Sequence, residues 1–143
     1  MKILAIKSSR DRTGISLMLN DEVNSFTMDH DRKDRPNWDM FLDNIGHKKI
    51  FNLSEIDLFA FENNQNSFTA TRITASFLKG IATALKKPLI LIEDNSENNL
   101  DVEELVIIAK EKFLSAENPQ KRFDPKNVNP TYEEDIKFRK LNE

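Results

Sequence analysis

The sequence predicts a single α/β domain in which strands and helices follow in the order β-β-β-α-β-α-β, with one further helix after them. Two observations carry this prediction. Short aliphatic runs such as KILAI (residues 2–6) and PLILIE (88–93) are typical of buried strands. Between such runs, apolar residues recur at the three-to-four-residue spacing of amphipathic helices. A chain of 143 residues, 38% of them hydrophobic, is long enough for one ordinary core.

The first three strands are expected to form an antiparallel meander. KILAI is followed by a polar turn and then by GISLML (14–19), which suits a hairpin. The next run, VNSFTM (23–28), alternates so that Phe26 and Met28 share one face of the strand. The larger apolar face of this third strand should therefore point to the core.

Helical signals follow the meander. Pro36 suits the first turn of a short helix, and Gly46 suits its end. A buried strand is predicted at 58–61, then a long helix at 69–87 and a last strand at 88–93. We place the domain at 1–94, a polar linker at 95–100, a C-terminal helix at 101–118, and an extended or partly disordered tail with three prolines at 119–143.

Composition excludes several classes of function. Without cysteine, the chain has no disulfide, thiolate nucleophile or thiolate metal site. No apolar stretch reaches the roughly 20 residues that span a bilayer, and no signal segment opens the sequence, so we expect a cytoplasmic protein that does not bind membranes. The net charge of −3 gives no electrostatic case for nucleic-acid binding by the chain alone.

The long helix has more apolar surface than one sheet can cover. Its polar residues occupy a stripe of roughly 80°, whereas apolar residues sweep over more than half of the circumference. Either the chain's own helices complete the burial, or a second protein does. We predict a partner or dimer surface made of the short helix and the exposed part of the long helix: Trp38, Phe41, Leu42, Ile45, Ile73, Phe77, Gly80, Ile81 and Ala84.

The stretch FENNQNSFTATRIT (61–74), together with the helix and strand after it, resembles the TsaB (YeaZ) family, whose motif runs approximately GPGSFTGLRIG. The matching residues are in register and without gaps: Ser67, Phe68, Thr69, Arg72, Ile73, Lys79, Gly80, Ala82, Ala84, Leu85, Pro88 and Leu89. The similarity covers about residues 1–94. Near the end, Tyr132 fits the family's terminal stretch, whereas Glu134 stands where arginine is expected.

The resemblance implies an actin-like (ribonuclease H-like) lobe whose second lobe is largely missing. It also implies a non-catalytic partner for TsaD, the paralogue that binds metal and nucleotide and makes threonylcarbamoyladenosine on tRNA, in an assembly joined by the ATPase TsaE. An older name calls the group glycoproteases, but the chain has no cysteine and only two histidines, without zinc-site spacing.

The same motif forms a vestigial phosphate-loop region: Lys7, Ser8, Asn64, Asn66, Ser67, Thr69 and Arg72. The resemblance expects glycine at five positions that hold Glu62, Asn64, Asn66, Ala70 and Thr74. A side chain at such positions blocks the approach of main chain to phosphate. At the end of the first strand, Lys7 stands where nucleotide-using relatives place an acid, and a cation cannot ligate magnesium. We therefore expect no cofactor, no metal and no catalytic residue.

We interpret the chain as a TsaB-like, non-enzymatic subunit of a tRNA-modification assembly. It is expected to bind a TsaD-like protein and a TsaE-like ATPase, to dimerise when alone, and to meet tRNA only through the complex. Two alternatives stay open: a small nucleotide-binding protein or enzyme of the actin-like superfamily, and a degenerate paralogue that competes for the same partner.

Overall fold

A five-stranded sheet with helices on both faces forms the core of the computed structural model. The structure describes residues 1–9, 11–31, 36–63, 68–93 and 100–128. The strands are β1 (Lys2–Ser8), β2 (Arg12–Leu19), β3 (Glu22–Asp29), β4 (Leu58–Asn63) and β5 (Leu89–Glu93). The helices are α1 (Trp38–Asn44), α2 (Phe68–Leu85), α3 (Val102–Ser115) and α4 (Pro119–Arg122), with 3-10 turns at Leu53–Glu55 and Pro125–Asn127. The predicted order of strands and helices is confirmed.

The sheet runs in the order β3-β2-β1-β4-β5. β2 is antiparallel to both β1 and β3, whereas β4 is parallel to β1 and β5 is parallel to β4. Asn20 and Asp21 have positive φ angles of 50° and 75°, which suits the two-residue turn between β2 and β3. Parallel neighbours need crossover connections, and α1 and α2 lie in these connections. The meander and the crossovers together place β1 at the centre.

Side chains of each strand alternate between two cores. On one face, Leu4 and Ile6 pack with Phe59 and Phe61 beneath α1 and α2. On the other face, Ile3 and other strand residues pack beneath α3. Phe26 and Met28 of β3 contact the first core, as the alternation predicts. The result is a three-layer α/β/α arrangement. Within the described residues, no helix is long and apolar enough to cross a bilayer.

Residues 119–128 differ from the extended or partly disordered tail that the sequence predicts. They form α4 and a 3-10 turn, and the carbonyl of Phe123 accepts a hydrogen bond from the N–H of Leu89 at 2.9 Å. The Phe123 ring stacks near Phe113 of α3, and Pro125 is buried. Packing of the half-buried Phe123 and the buried Pro125 fixes a segment whose sequence has no helical or strand period. Residues 129–143 lie outside the described residues.

Substitution of two glycines by alanine tests this packing, and the expected changes in the free energy of unfolding have opposite signs. Gly46 has φ +98°, and a Cβ there would lie 2.4 Å from Cγ1 of Ile50, so Gly46→Ala should lower the free energy of unfolding by about 1–3 kcal/mol. Gly80 lies within α2 and has no atom within 4 Å of an added Cβ, so Gly80→Ala should raise it by about 0.5–1 kcal/mol. Urea denaturation measures both. A destabilising Gly80→Ala variant would contradict the described packing of α2.

Candidate functional site

Polar residues are buried at the carboxyl-terminal ends of the parallel strands, the edge at which α/β sheets commonly bind ligands. We call this group the strand-end cluster: Ser8, Thr13, Glu62, Asn63, Thr71 and Thr74, all at most 3% exposed. They come from β1, β2, β4 and the first turns of α2. Lys7 and Glu93 flank them. Since burial of polar groups requires compensation by hydrogen bonds or ion pairs, the partners of these residues decide what the edge can do.

Lys7 forms an ion pair with one carboxylate of this cluster. Its Nζ lies 3.5 Å from a carboxylate oxygen of Glu62, which is 2% exposed. The same Nζ donates a hydrogen bond to the carbonyl of Leu100, just before α3. Lys7 therefore joins the end of β1, the end of β4 and the start of the C-terminal helix.

A second set of contacts surrounds Ser8. Its hydroxyl lies 2.9 Å from the hydroxyl of Thr13, and that hydroxyl lies 2.8 Å from Nε2 of His30. Nearby, Arg12 donates a hydrogen bond to Asp29 at 2.7 Å, and this bond together with the arginine charge lowers the pKa of the Asp29 carboxyl. These contacts join the end of β1 to the start of β2, and the start of β2 to the end of β3. Within the described residues there is no group of three or more potential metal-ligating side chains.

The ends of β4 and β5 are joined in the same way. Asn63 and Glu93 are register partners in the parallel pair, and the amide nitrogen of Asn63 donates to a Glu93 carboxylate oxygen at 3.2 Å. Asn63 is 1% exposed, so its amide forms part of the fold. This contact fixes the end of β4 at the point where the chain enters residues 64–67, which lie outside the described residues.

The start of α3 limits access to the strand ends from the other face. A Cβ added at Gly14 of β2 would lie 3.2 Å from Val102, so the helix lies almost directly on the strand backbone. Ser16 donates to the carbonyl of Val102 at 2.7 Å. An open pocket of about 380 Å³ remains beside Lys7, with Arg12 and the first residues of α3 in its wall. The hydroxyl of Ser25 hydrogen bonds to Glu103 there and lowers the pKa of that carboxyl.

The structure describes four of the seven residues of the predicted phosphate-loop region. Lys7 and Ser8 come to adjacent positions of the strand-end cluster. Thr69 and Arg72 lie on the exposed side of α2. Asn64, Asn66 and Ser67 lie outside the described residues. Sequence reasoning missed Glu62 as the ionic partner of Lys7, although a carboxylate directly after the apolar run LFAF was a signal for a buried charge at a strand end.

The predicted partner surface requires a correction. Phe41, Leu42 and Ile45 are at most 4% exposed, because α1 is the element that covers β2 on this face and these side chains fill the core beneath it. They are not available to a second protein. Trp38 is half-buried and stacks on Phe77 of α2, with ring centroids 4.6 Å apart and 8° between the planes. This aromatic pair joins α1 to α2.

The outward face of α2 keeps the rest of the predicted surface. Its exposed residues are mostly short: Thr69, Ser76, Gly80, Thr83 and Ala84, with Arg72 beside them. Ile73, Phe77 and Ile81 are half-buried along one margin of this face. We call eight of these residues the α2 face: Thr69, Ile73, Ser76, Phe77, Gly80, Ile81, Thr83 and Ala84. At 100° per residue its centre lies at Gly80, opposite the buried Leu78 and Ala82.

The contact between Lys7 and Glu62 makes a stability prediction. Lys7→Met leaves a buried carboxylate without this cation, so the free energy of unfolding should fall on the order of 3 kcal/mol. Adding Glu62→Gln should restore most of the loss. Urea denaturation followed by fluorescence of Trp38, the single tryptophan, measures both variants. Lys49→Met, at an exposed lysine, is the matched control, and equal effects at positions 7 and 49 would contradict the ion pair.

Comparisons with known proteins support the fold assignment. No protein-family model and no curated protein sequence matches this chain. Among solved structures it is similar to YeaZ from Pseudomonas aeruginosa, with a TM-score of 0.59 and 22% sequence identity over 65% of this chain and 44% of that one. A second structure, described as an uncharacterized protein with similarity to peptidase YEAZ from Pseudomonas aeruginosa, gives the same values but is covered over 43% of its length.

The chain thus spans less than half the length of the structures that it matches. The predicted α/β fold class is confirmed: the chain has a mixed five-stranded sheet with helices, and its fold is similar to that of YeaZ.

Proposed function

We propose that this chain is a non-catalytic, TsaB-like subunit that binds a TsaD-like protein through the α2 face and thereby takes part in threonylcarbamoyladenosine formation on tRNA. The observation that carries the proposal is the exposure of this face on a lobe whose fold is similar to YeaZ. The assembly would include a TsaE-like ATPase and would work in the cytoplasm.

The α2 face has the shape that a second helix needs. Gly80 at its centre has no atom within 4 Å of the position of a Cβ, so another backbone can approach closely there. Ala84, one turn later, is exposed as well. Phe77 and Ile81 offer apolar margins that are half-buried already, so that a partner would complete their burial. A flat centre with one apolar margin favours helix-on-helix contact.

The strand-end cluster supports a role without catalysis. The ammonium of Lys7 is committed to Glu62 and to the carbonyl of Leu100, and a cation at that position opposes the binding of magnesium. The hydroxyls of Ser8 and Thr13 are buried in mutual hydrogen bonding, so neither is presented to a substrate. These contacts stabilise the lobe, and the interaction surface is the part left for function.

In the absence of the partner, the same face suits a homodimer. A two-fold symmetric interface brings the same patch of both copies together, and a patch centred on glycine is self-complementary in shape. We propose that dimerisation and partner binding compete for the α2 face. In this scheme tRNA reaches the chain through the assembly.

The sharpest test introduces bulk and charge at the centre of the face. Ala84→Arg should raise the Kd for the host's TsaD-like protein by more than roughly 30-fold and so reduce co-purification, because the arginine prevents close approach of the helices. Ile107→Arg, at an exposed apolar residue of α3, is the matched control and should bind normally. Sedimentation of the chain alone should show the same contrast for the dimer.

The two variants are then compared in cells that lack the wild-type protein. The proposal predicts loss of threonylcarbamoyladenosine from tRNA with Ala84→Arg and normal levels with Ile107→Arg. Normal association and normal tRNA modification with Ala84→Arg would contradict it. Normal association with loss of modification would instead place the function at another surface.

A further inference from the structure

A cluster of lysines surrounds a pocket at the edge of the sheet opposite the strand-end cluster. Lys86, Lys87 and Lys126 line an open pocket of about 300 Å³. The other lining residues are neutral except for one aspartate: Thr83, Pro88, Gln120, Asp124 and Pro125. We call the three lysines the basic cluster. Sequence separation of about forty residues hides this grouping, since Lys126 comes from a segment predicted to be extended.

The fold holds the three lysines together by backbone contacts. Lys86 ends α2 with a left-handed φ of 57°, a position at which glycine is usual. The N–H of Lys87 then donates to the carbonyl of Ala82 at 2.9 Å. On the other side of the pocket, the turn that carries Lys126 is anchored by buried Pro125. The convergence of positive charge is therefore built into the fold.

Within the described residues, none of the three lysines has a carboxylate at ion-pair distance. Asp124 accepts a hydrogen bond from the backbone N–H of Lys126 and so caps its own turn. The exposed side chains of Lys121 and Arg122 on α4 add two further charges to the neighbouring surface. In a chain of net charge −3, such a concentration marks a segregated positive surface.

Helix electrostatics explains only part of the cluster. Lysines at the end of α2 complement the negative end of that helix, an effect of about 0.3–1 kcal/mol. Lys126 belongs to a three-residue turn outside that helix, and it lines the same pocket as Lys86, with Asp124 as the one described carboxylate in the wall. A polyanion would form favourable electrostatic contacts with this group of positive charges.

We propose that the basic cluster is a contact surface for the phosphate backbone of RNA. Several exposed lysines distributed over two elements suit a chain of phosphates better than one enclosed anion, because the pocket is open and no buried cation points into it. A membrane surface fits less well. The large exposed apolar side chains of the described residues, Ile50, Ile107 and Leu114, lie on α3 and in the loop after α1.

This inference goes beyond the proposed function, in which tRNA meets the chain only through its partner. It gives the chain a direct contact at the end of α2 that does not require the α2 face to be occupied. Its test uses the isolated full chain, so failure here leaves the proposal for the α2 face untouched, and failure of that proposal leaves this one untouched.

The experiment measures binding of a short RNA duplex by fluorescence anisotropy at several salt concentrations. Three phosphate contacts predict that the association constant falls roughly 40-fold between about 50 and 200 mM salt. Lys86→Glu with Lys126→Glu should weaken binding more than about 10-fold at the lower salt and reduce the slope of log K against log salt by about 2. Lys86→Gln with Lys126→Gln should act in the same direction.

The matched control has the same change of net charge at other exposed lysines. Lys49→Glu with Lys112→Glu should bind within about 3-fold of the unchanged chain and keep its salt dependence. Equal losses in both double variants, or no binding by the unchanged chain at the lower salt, would overturn the proposal. Stronger binding to vesicles of anionic lipid than to RNA, lost in the cluster variant alone, would replace RNA with a membrane and overturn it too.

Discussion

The packing of α2 on β1 and β4 is the constraint on which the rest of the structure depends. It buries Leu78 and Ala82 in the core and leaves the opposite side of the same helix, centred on Gly80, in solvent. The helix is apolar over more of its circumference than one sheet covers, and α1 adds the contact of Trp38 with Phe77. The fold therefore buries one side of the helix and leaves the α2 face exposed to solvent in the described residues.

The start of α3 lies beside the carboxyl-terminal strand ends, the edge at which α/β sheets commonly bind ligands. Here α3 begins directly over β2, and the carbonyl of Leu100 meets Lys7. The lysine is thus held between a strand end, a buried carboxylate and a helix start. Burial of charge in this manner is costly unless all partners are present, so the arrangement is sensitive to each of them. The contacts of Lys7 therefore stabilise this end of the sheet.

Regular elements of this fold could be predicted because their signals are local. β1 and β5 are short aliphatic runs, and α2 has a wide apolar arc at helical spacing. The burial of α1 could not be predicted, since the same spacing at Phe41, Leu42 and Ile45 suits both a partner and the chain's own core. The outcome depends on whether another element covers β2 on this face, and that is decided by the tertiary structure.

The residues of the candidate sites can be divided in the same way, into those with a local sequence signal and those whose grouping depends on tertiary contacts. The sequence placed Lys7 and Ser8 at a strand end, because the end of an apolar run is visible in the letters. Their partners Glu62 and Thr13 depend on strand pairing, and the grouping of Lys86 with Lys126 depends on the path of the chain after α3. A pattern-free segment with three prolines gave no indication that it would pack on β5.

The absence of cysteine permits a direct measurement of the central claim, that a partner covers the α2 face. Ser76→Cys places one thiol on that face, and Ser115→Cys places one at the exposed end of α3. Maleimide labelling rates are compared with and without the host's TsaD-like protein. The account predicts that the partner slows labelling at position 76 at least about 10-fold and leaves position 115 unchanged. Unchanged labelling at position 76 in a demonstrated complex would contradict it.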